Sequence, residues 1–306
     1  MPSAARHDKL LFFSLVPSAV TLLGMLAAVI VVVLNGSWRS IADFGLDLFS
    51  KSVWIPGAER YGLLGPLIGS ITSSLIAVAV SLLLSLSFSI FASDILRGRA
   101  RDLASSLVEL MGGMPTVIYA LWAAQYLAPA LRDFLMAPLH GYLGFIPLFS
   151  EEPVTGYSVF TAGVAMGVAT VPYVSFLMTE AYSILPSTYR EACLGIGASR
   201  LETAKILLSL CRPALLASLL LGLARAMGET TIAAMTVGNS MKVTACIIAP
   251  GYTVPALVAS QFGDASLYVY SESALYAASL VILSAALALS FVGLSLLSRW
   301  RSRILV

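Results

Sequence analysis

Arg225 and Glu229 are the residues whose types best suit chemistry on a charged solute. They stand four apart in the apolar stretch Gly222–Gly238, a spacing that puts them on one face of a helix. An arginine at mid-bilayer costs about 2.5–3.5 kcal/mol on the insertion scale, so it turns toward protein or a water-lined space. Beside a translocation path, Arg225 can meet an anion while Glu229 holds or balances it. The plainer alternative is an internal ion pair that locks helix packing. Arg-before-Glu is the weaker order along a helix, so partners on other helices are favoured, Glu109 among them.

Other chemistries lack their residues. A phosphate-cradling loop needs glycines ahead of a Lys-Ser or Lys-Thr pair. The only such pair is Lys51-Ser52, preceded by Ser50. No GxSxG, HExxH or paired CxxC occurs, and His7 and His140 stand apart. Cys193, Cys211 and Cys246 have neither metal nor redox spacing and read as packed thiols. No catalytic residue, metal ligand or cofactor of the chain's own is expected, and no nucleic-acid partner.

The elements that carry these residues are membrane spans. Apolar residues are 58% and charged residues 11% of the 306, far from the balance of a soluble domain. The reading is an all-α membrane protein with six spans near 11–34, 65–92, 104–128, 157–181, 212–237 and 273–298, each meeting the roughly 20 residues a bilayer needs. The first run exceeds the length of a signal-peptide core and reads as a retained span. Arg6, Lys9, Arg97, Arg99, Arg101, Arg190, Arg200, Lys205, Arg212, Arg299, Arg301 and Arg303 fall on one side, against Arg39, Lys51, Arg60, Arg132 and Lys242 on the other. That asymmetry makes both termini cytoplasmic.

Two runs carry helix breakers. Gly112, Gly113 and Pro115 interrupt the third, and Pro172 the fourth. Breaks at mid-depth free backbone groups and point to a substrate path, or else are packing kinks. Asn35–Leu64, 129–156 and Asn239–Glu272 read as outer loops, and Val254–Phe262 is a short apolar stretch able to dip back into the membrane.

On the basic side, 185–213 is the longest charged, helix-compatible segment. Ser187 can cap a first helix carrying Arg190, Glu191 and Ala192, and Gly197 can end it. Ser199 and Glu202 then form a capping box for a second helix. A wet helix–glycine–helix corner is a rigid knob suited to receive a push from a partner.

Glu191-Ala-Cys-Leu-Gly-Ile-Gly197 resembles the EAA loop of membrane subunits of ABC importers. It departs from that pattern at Cys193 and at Ser209, where the family commonly has Ala and Pro. Gly113-Met-Pro-Thr-Val-Ile-Tyr-Ala-Leu-Trp122, Arg225-Ala-Met-Gly-Glu-Thr230, Val237-Gly-Asn239 and Ala249-Pro-Gly-Tyr-Thr253 resemble segments of phosphate permeases of the PstC type. The similarity runs from about residue 65 to the end. It implies the MetI-like fold of type I importers: a first span and outer loop at 1–64, a permease core at 65–306, and a coupling loop at 185–213. It also implies a prokaryotic inner-membrane location and a set of partners: a homologous PstA-type permease, two ATPase subunits that bind ATP and Mg, an extracytoplasmic phosphate-binding protein, and membrane lipid. A permease for sulfate, molybdate or tungstate would share this fold. A stand-alone secondary transporter would call for more mid-membrane carboxylates, and a membrane-embedded transferase for a nucleophile and base.

Overall fold

The computed structural model describes the backbone of residues 2–304 and the side chains of that range other than 2–12, 14, 93 and 94. Expectations resting on the side chains of Arg6, His7 and Lys9 therefore lie outside the described residues. Among the described residues the chain is helical nearly throughout, with a single isolated bridge between Ile55 and Arg60 in place of any sheet.

In chain order the helices that matter are α1 (Pro2–Phe44), α2 (Leu64–Ile90), α3 (Arg99–Gly113), α4 (Thr116–Leu143), α5 (Val159–Ile184), α6 (Ser187–Gly195), α7 (Arg200–Met227), α8 (Thr231–Thr236), α9 (Val254–Gln261) and α10 (Ser271–Ile304). Five of them, α1, α2, α5, α7 and α10, are long and apolar enough to span a bilayer. The pair α3–α4, bent by 93°, makes a sixth if counted as one span.

The bundle is organised around α5. Within its spanning window 72% of residues are buried, against 33% in α2 and 0% in α1, so α5 is the central helix and α1 the outermost. Small residues let its neighbours come close. A Cβ on Gly163 would lie 2.6 Å from Ile76 Cβ, and one on Gly167 would lie 2.8 Å from Val80 Cβ. Ser70, Ser73, Ser74, Ser81 and Ser85 form the matching buried face of α2, and the Ser85 hydroxyl donates to the Val171 carbonyl at 3.1 Å. In lipid, where apolar surface gains nothing from leaving one greasy environment for another, such close backbone approach is what drives helix association.

Among the described residues, the last turns of α1 hold it to the bundle. Gly36 lies against the Tyr276 ring, and the Ser40 N–H donates to Ser273 Oγ at 2.9 Å. The helix also runs ten residues past the expected end at 34, so Trp38, Arg39 and Asp43 are helical rather than in a loop. No proline intervenes before Gly45, whose φ of +55° ends the run.

The outer loops fold back on the core. Gly238 (φ +88°) turns the chain beside Pro250, and the two segments Val237–Asn239 and Ala249–Thr253 interlock: Gly251 N–H donates to Val237 O at 2.9 Å and Ser240 N–H to Gly251 O at 2.8 Å. α9 then packs against α2, with the Val254 N–H held by Ser70 Oγ at 2.8 Å and Tyr252 O lying directly over Gly69. Ser70 is six residues into α2, about 9 Å along from its start at 1.5 Å per residue, so α9 packs beside the first two turns of that helix.

Candidate functional site

The helix break at Gly112–Pro115 is a true corner. Met114 (φ −72°, ψ 134°) and Pro115 (φ −56°, ψ 136°) are extended, as the residue before a proline prefers. At the corner the Met111 carbonyl accepts from the Met114 N–H at 3.2 Å and also from the Tyr119 hydroxyl, which donates to it at 2.7 Å. Pro172, expected to break the fourth run, does not. α5 continues through it from Val159 to Ile184. The difference lies in support: α5 is clamped by neighbours on several sides, while α3 touches α5 yet buries no residue. Pro172 instead serves as a contact, 3.3 Å from where a Cβ on Gly112 would sit.

Beside that contact lies a cavity of about 360 Å³. Ser105, Glu109 and Gly112 of α3 form one wall, Pro172, Tyr173 and Ser175 of α5 another, and Arg225 closes it from the last turn of α7. The Arg225 guanidinium carbon stands 5.6 Å from the centre of the Tyr173 ring, a cation–π distance. Arg225 and Glu109 thus share one space, yet no ion pair within 4 Å joins them among the described residues. Ser175 Oγ is buried without a hydrogen-bond partner.

Glu229 departs from expectation. α7 ends at Met227, so Arg225 and Glu229 do not share a helical face. Gly228, the poorest helix former short of proline, closes the helix, and the polar Glu229-Thr230 pair follows. Glu229 Oε1 accepts from the Ile232 N–H at 3.5 Å, at the start of α8. The spacing of four was legible in the sequence; the end of the helix between the two residues was not.

The knob forms nearly as expected. Gly197 has φ +84°, and the Ala198 N–H donates to Cys193 O and the Gly197 N–H to Leu194 O, both at 3.0 Å, which together make a Schellman ending for α6. Ser199 N–H donates to Glu202 Oε2 at 2.8 Å and Glu202 N–H to Ser199 Oγ at 3.3 Å, completing the capping box. The Ser199 hydroxyl, donating to Glu202 Oε2 at 2.7 Å, and then the Ser199 N–H hold the exposed Glu202 carboxyl below the usual carboxylate range. Ser187 does not cap: Pro186 occupies that place and Ser187 is the first helical residue. The second helix of the knob is also not separate from the fifth span, since α7 runs unbroken for 28 residues from Arg200 through Pro213.

Around the corner, Arg190 reaches over Tyr182 at 5.8 Å, while Ile196 and Leu201 are 83% and 65% exposed. Behind it, Trp300 Nε1 donates to Leu210 O at 2.8 Å and Arg301 pairs with Glu180 at 2.8 Å, tying the ends of α10, α7 and α5 together. Sequence reasoning missed Tyr119, Tyr173 and Ser175. An uncharged Tyr or Ser in a hydrophobic run gives little signal until a neighbouring helix defines what it faces.

The family described as binding-protein-dependent transport system inner membrane component matches residues 85–305. A relative from Methanocaldococcus jannaschii, named a probable phosphate transport system permease protein PstC, is 40% identical over 87% of this chain and 85% of its own length. The phosphate transport system permease protein PstC of Xylella fastidiosa strain Temecula1 is 30% identical over 83% of this chain and 81% of its own. Among solved structures, an inward-facing form of the MetNI methionine ABC transporter superposes with a TM-score of 0.54 at 15% identity, covering 78% of this chain and 95% of that one. That likeness is one of fold.

Proposed function

Because this chain belongs to the family of binding-protein-dependent transport system inner membrane components, we propose that it forms the pathway of an ATP-driven importer of inorganic phosphate, together with a second, homologous permease of the PstA type. The cargo is supported by the relatives' names and by a cation placed to meet an anion. The observation that carries the reading is Arg225, set in a cavity at a helix break with no carboxylate in ion-pair range among the described residues.

In this reading Arg225 offers its planar fork to the phosphate oxygens, and Tyr173 holds the guanidinium in place. Glu229 acts indirectly, by fixing the start of α8 just beyond that arginine. The corner between α3 and α4, at Gly112, Gly113 and Pro115, opens the space, and Pro172 spaces α3 from α5.

Both termini and the knob face the cytoplasm, where ATPase subunits holding ATP and Mg dock. Arg190, Glu191, Ala192, Gly197, Ser199 and Glu202 build the docking corner, and exposed Ile196 and Leu201 suit a partner's apolar cleft. Continuity of α7 supports direct transmission. A push on the corner moves a helix whose far end carries Arg225, some 25 residues and roughly 38 Å away at 1.5 Å per residue. Nucleotide closure in the partner thereby biases two packings of the bundle. A phosphate-binding protein docks on the opposite face.

Uptake of radiolabelled phosphate by the assembled complex tests this. Arg225→Ala is expected to reduce uptake at least tenfold while the complex still assembles, tenfold being the value of a single charge-assisted hydrogen bond. Undiminished uptake would sink the role of Arg225. Import of sulfate in preference to phosphate would support the rival oxyanion.

A further inference from the structure

We propose that Glu109 is a specificity-determining residue of the cavity: its carboxylate accepts a hydrogen bond from the protonated oxygen of phosphate held at Arg225, and repels oxyanions that carry no proton. This rests on reading the cavity as part of a phosphate path.

The cavity presents opposite charges on separate walls. Arg225 comes from α7 and Glu109 from α3, and they line the same space of about 360 Å³ without an ion pair between them among the described residues. Both side chains are exposed in the isolated chain, so each can meet a ligand and neither is obliged to neutralise the other. Held apart, the two charges leave room for a tetrahedral anion between a donor fork and an acceptor. Ser105 lies four residues before Glu109, on the same face of α3 and in the same wall. A further polar atom has no partner: Ser175 Oγ is buried and unbonded in the wall that carries Tyr173. Thr179, by contrast, already donates to Ser89 Oγ at 3.3 Å.

The chemistry that fits such a site is narrow. An arginine alone accepts any oxyanion. A carboxylate has lone pairs only, so it attracts a ligand O–H and repels a bare oxyanion oxygen. Inorganic phosphate keeps at least one O–H near neutral pH, as does arsenate; sulfate keeps none. Discrimination here comes from the repulsive partner as much as from the attractive one. The cost of facing an acceptor with no proton to share is what makes hydrogen-bonding sites selective.

The test uses this chain assembled with its companion permease and ATPase subunits in lipid nanodiscs. The binding protein is left out, so that its own selectivity does not enter. Binding of radiolabelled phosphate is measured by equilibrium dialysis, with arsenate and sulfate as competitors. The unmutated complex is expected to be displaced by arsenate and only weakly by sulfate. Glu109→Gln, whose amide can donate to a bare oxygen, is expected to lower the phosphate-over-sulfate preference about tenfold or more. Glu109→Asp keeps a carboxylate and retains most of the preference. Ser175→Ala weakens both anions alike and leaves the ratio alone. An unchanged ratio in Glu109→Gln, in a complex that still binds phosphate, overturns the inference while leaving the cargo assignment standing. An unmutated complex that neither binds nor imports phosphate overturns the assignment and the inference together.

Discussion

At the scale of single residues, the best-defined feature is Gly197. Its φ of +84° lies in the left-handed region, which costs a residue with a Cβ about 1–2 kcal/mol, and no heavy atom lies within 4 Å of where that Cβ would go. The strain is therefore conformational and not steric. Gly197→Ala is expected to weaken the knob modestly. Gly197→Pro cannot adopt the turn and also removes the N–H that donates to Leu194 O. Co-purification with the ATPase subunit is expected to fall slightly in the first variant and to be lost in the second. Full docking by Gly197→Pro would remove the corner from the coupling mechanism. Ser199 makes a comparable contribution at the next residue but one: losing such a cap costs about 1 kcal/mol at a helix start.

At the scale of elements, the α2–α5 seam and the outer loop pair behave differently. Gly167 touches Val80 and the Ala77 carbonyl, and the seam has no slack for a larger side chain. Gly167→Val is expected to overpack it, lowering stability by about 1–3 kcal/mol, read as a fall in the thermal midpoint in detergent. The loops are held more lightly. Lys242 Nζ pairs with Glu151 Oε2 at 2.9 Å, and bonds to Lys242 and Thr244 hold the Glu151 carboxyl below its ordinary range. A depressed carboxylate contributes above its unfolded pKa of about 4.3, and that contribution is lost as pH falls through the lower folded value. With Lys242 61% exposed, the pair is worth under about 1 kcal/mol. Lys242→Ala should thus show a small stability deficit at pH 7 that closes as the pH drops below 4. A deficit unaffected by acid would assign it to something other than the ion pair.

At the scale of the whole molecule, the chain is a multi-pass membrane protein of the binding-protein-dependent transport family. α10, α7 and α5 are tied to one another at the knob end by Trp300 and Arg301. The distribution of Lys and Arg predicts that this end and both termini face the cytoplasm. Single cysteines introduced at Ser199 and Ser302, in a background lacking the native three, are expected to react with impermeant maleimide only from the cytoplasmic side, and one at Ser52 only from outside. Labelling of Ser199→Cys from outside would invert the topology and with it the direction in which the partner's push arrives.

The sequence by itself determined the class, the span number to within the bent pair, the capped corner at 197–202 and the break at Gly112–Pro115. Each is written locally, in a run of apolar residues long enough for lipid, in a glycine forced to positive φ, in a proline that bars its predecessor from helix. Only the tertiary structure decided that Pro172 sits in an unbroken helix, that α7 stops between Arg225 and Glu229, and that Arg225 and Glu109 share a cavity without touching. Those outcomes depend on what surrounds a segment. A helix pressed from several sides runs through a proline that would bend it alone, and two charges far apart in the chain meet only where other helices leave a space between them.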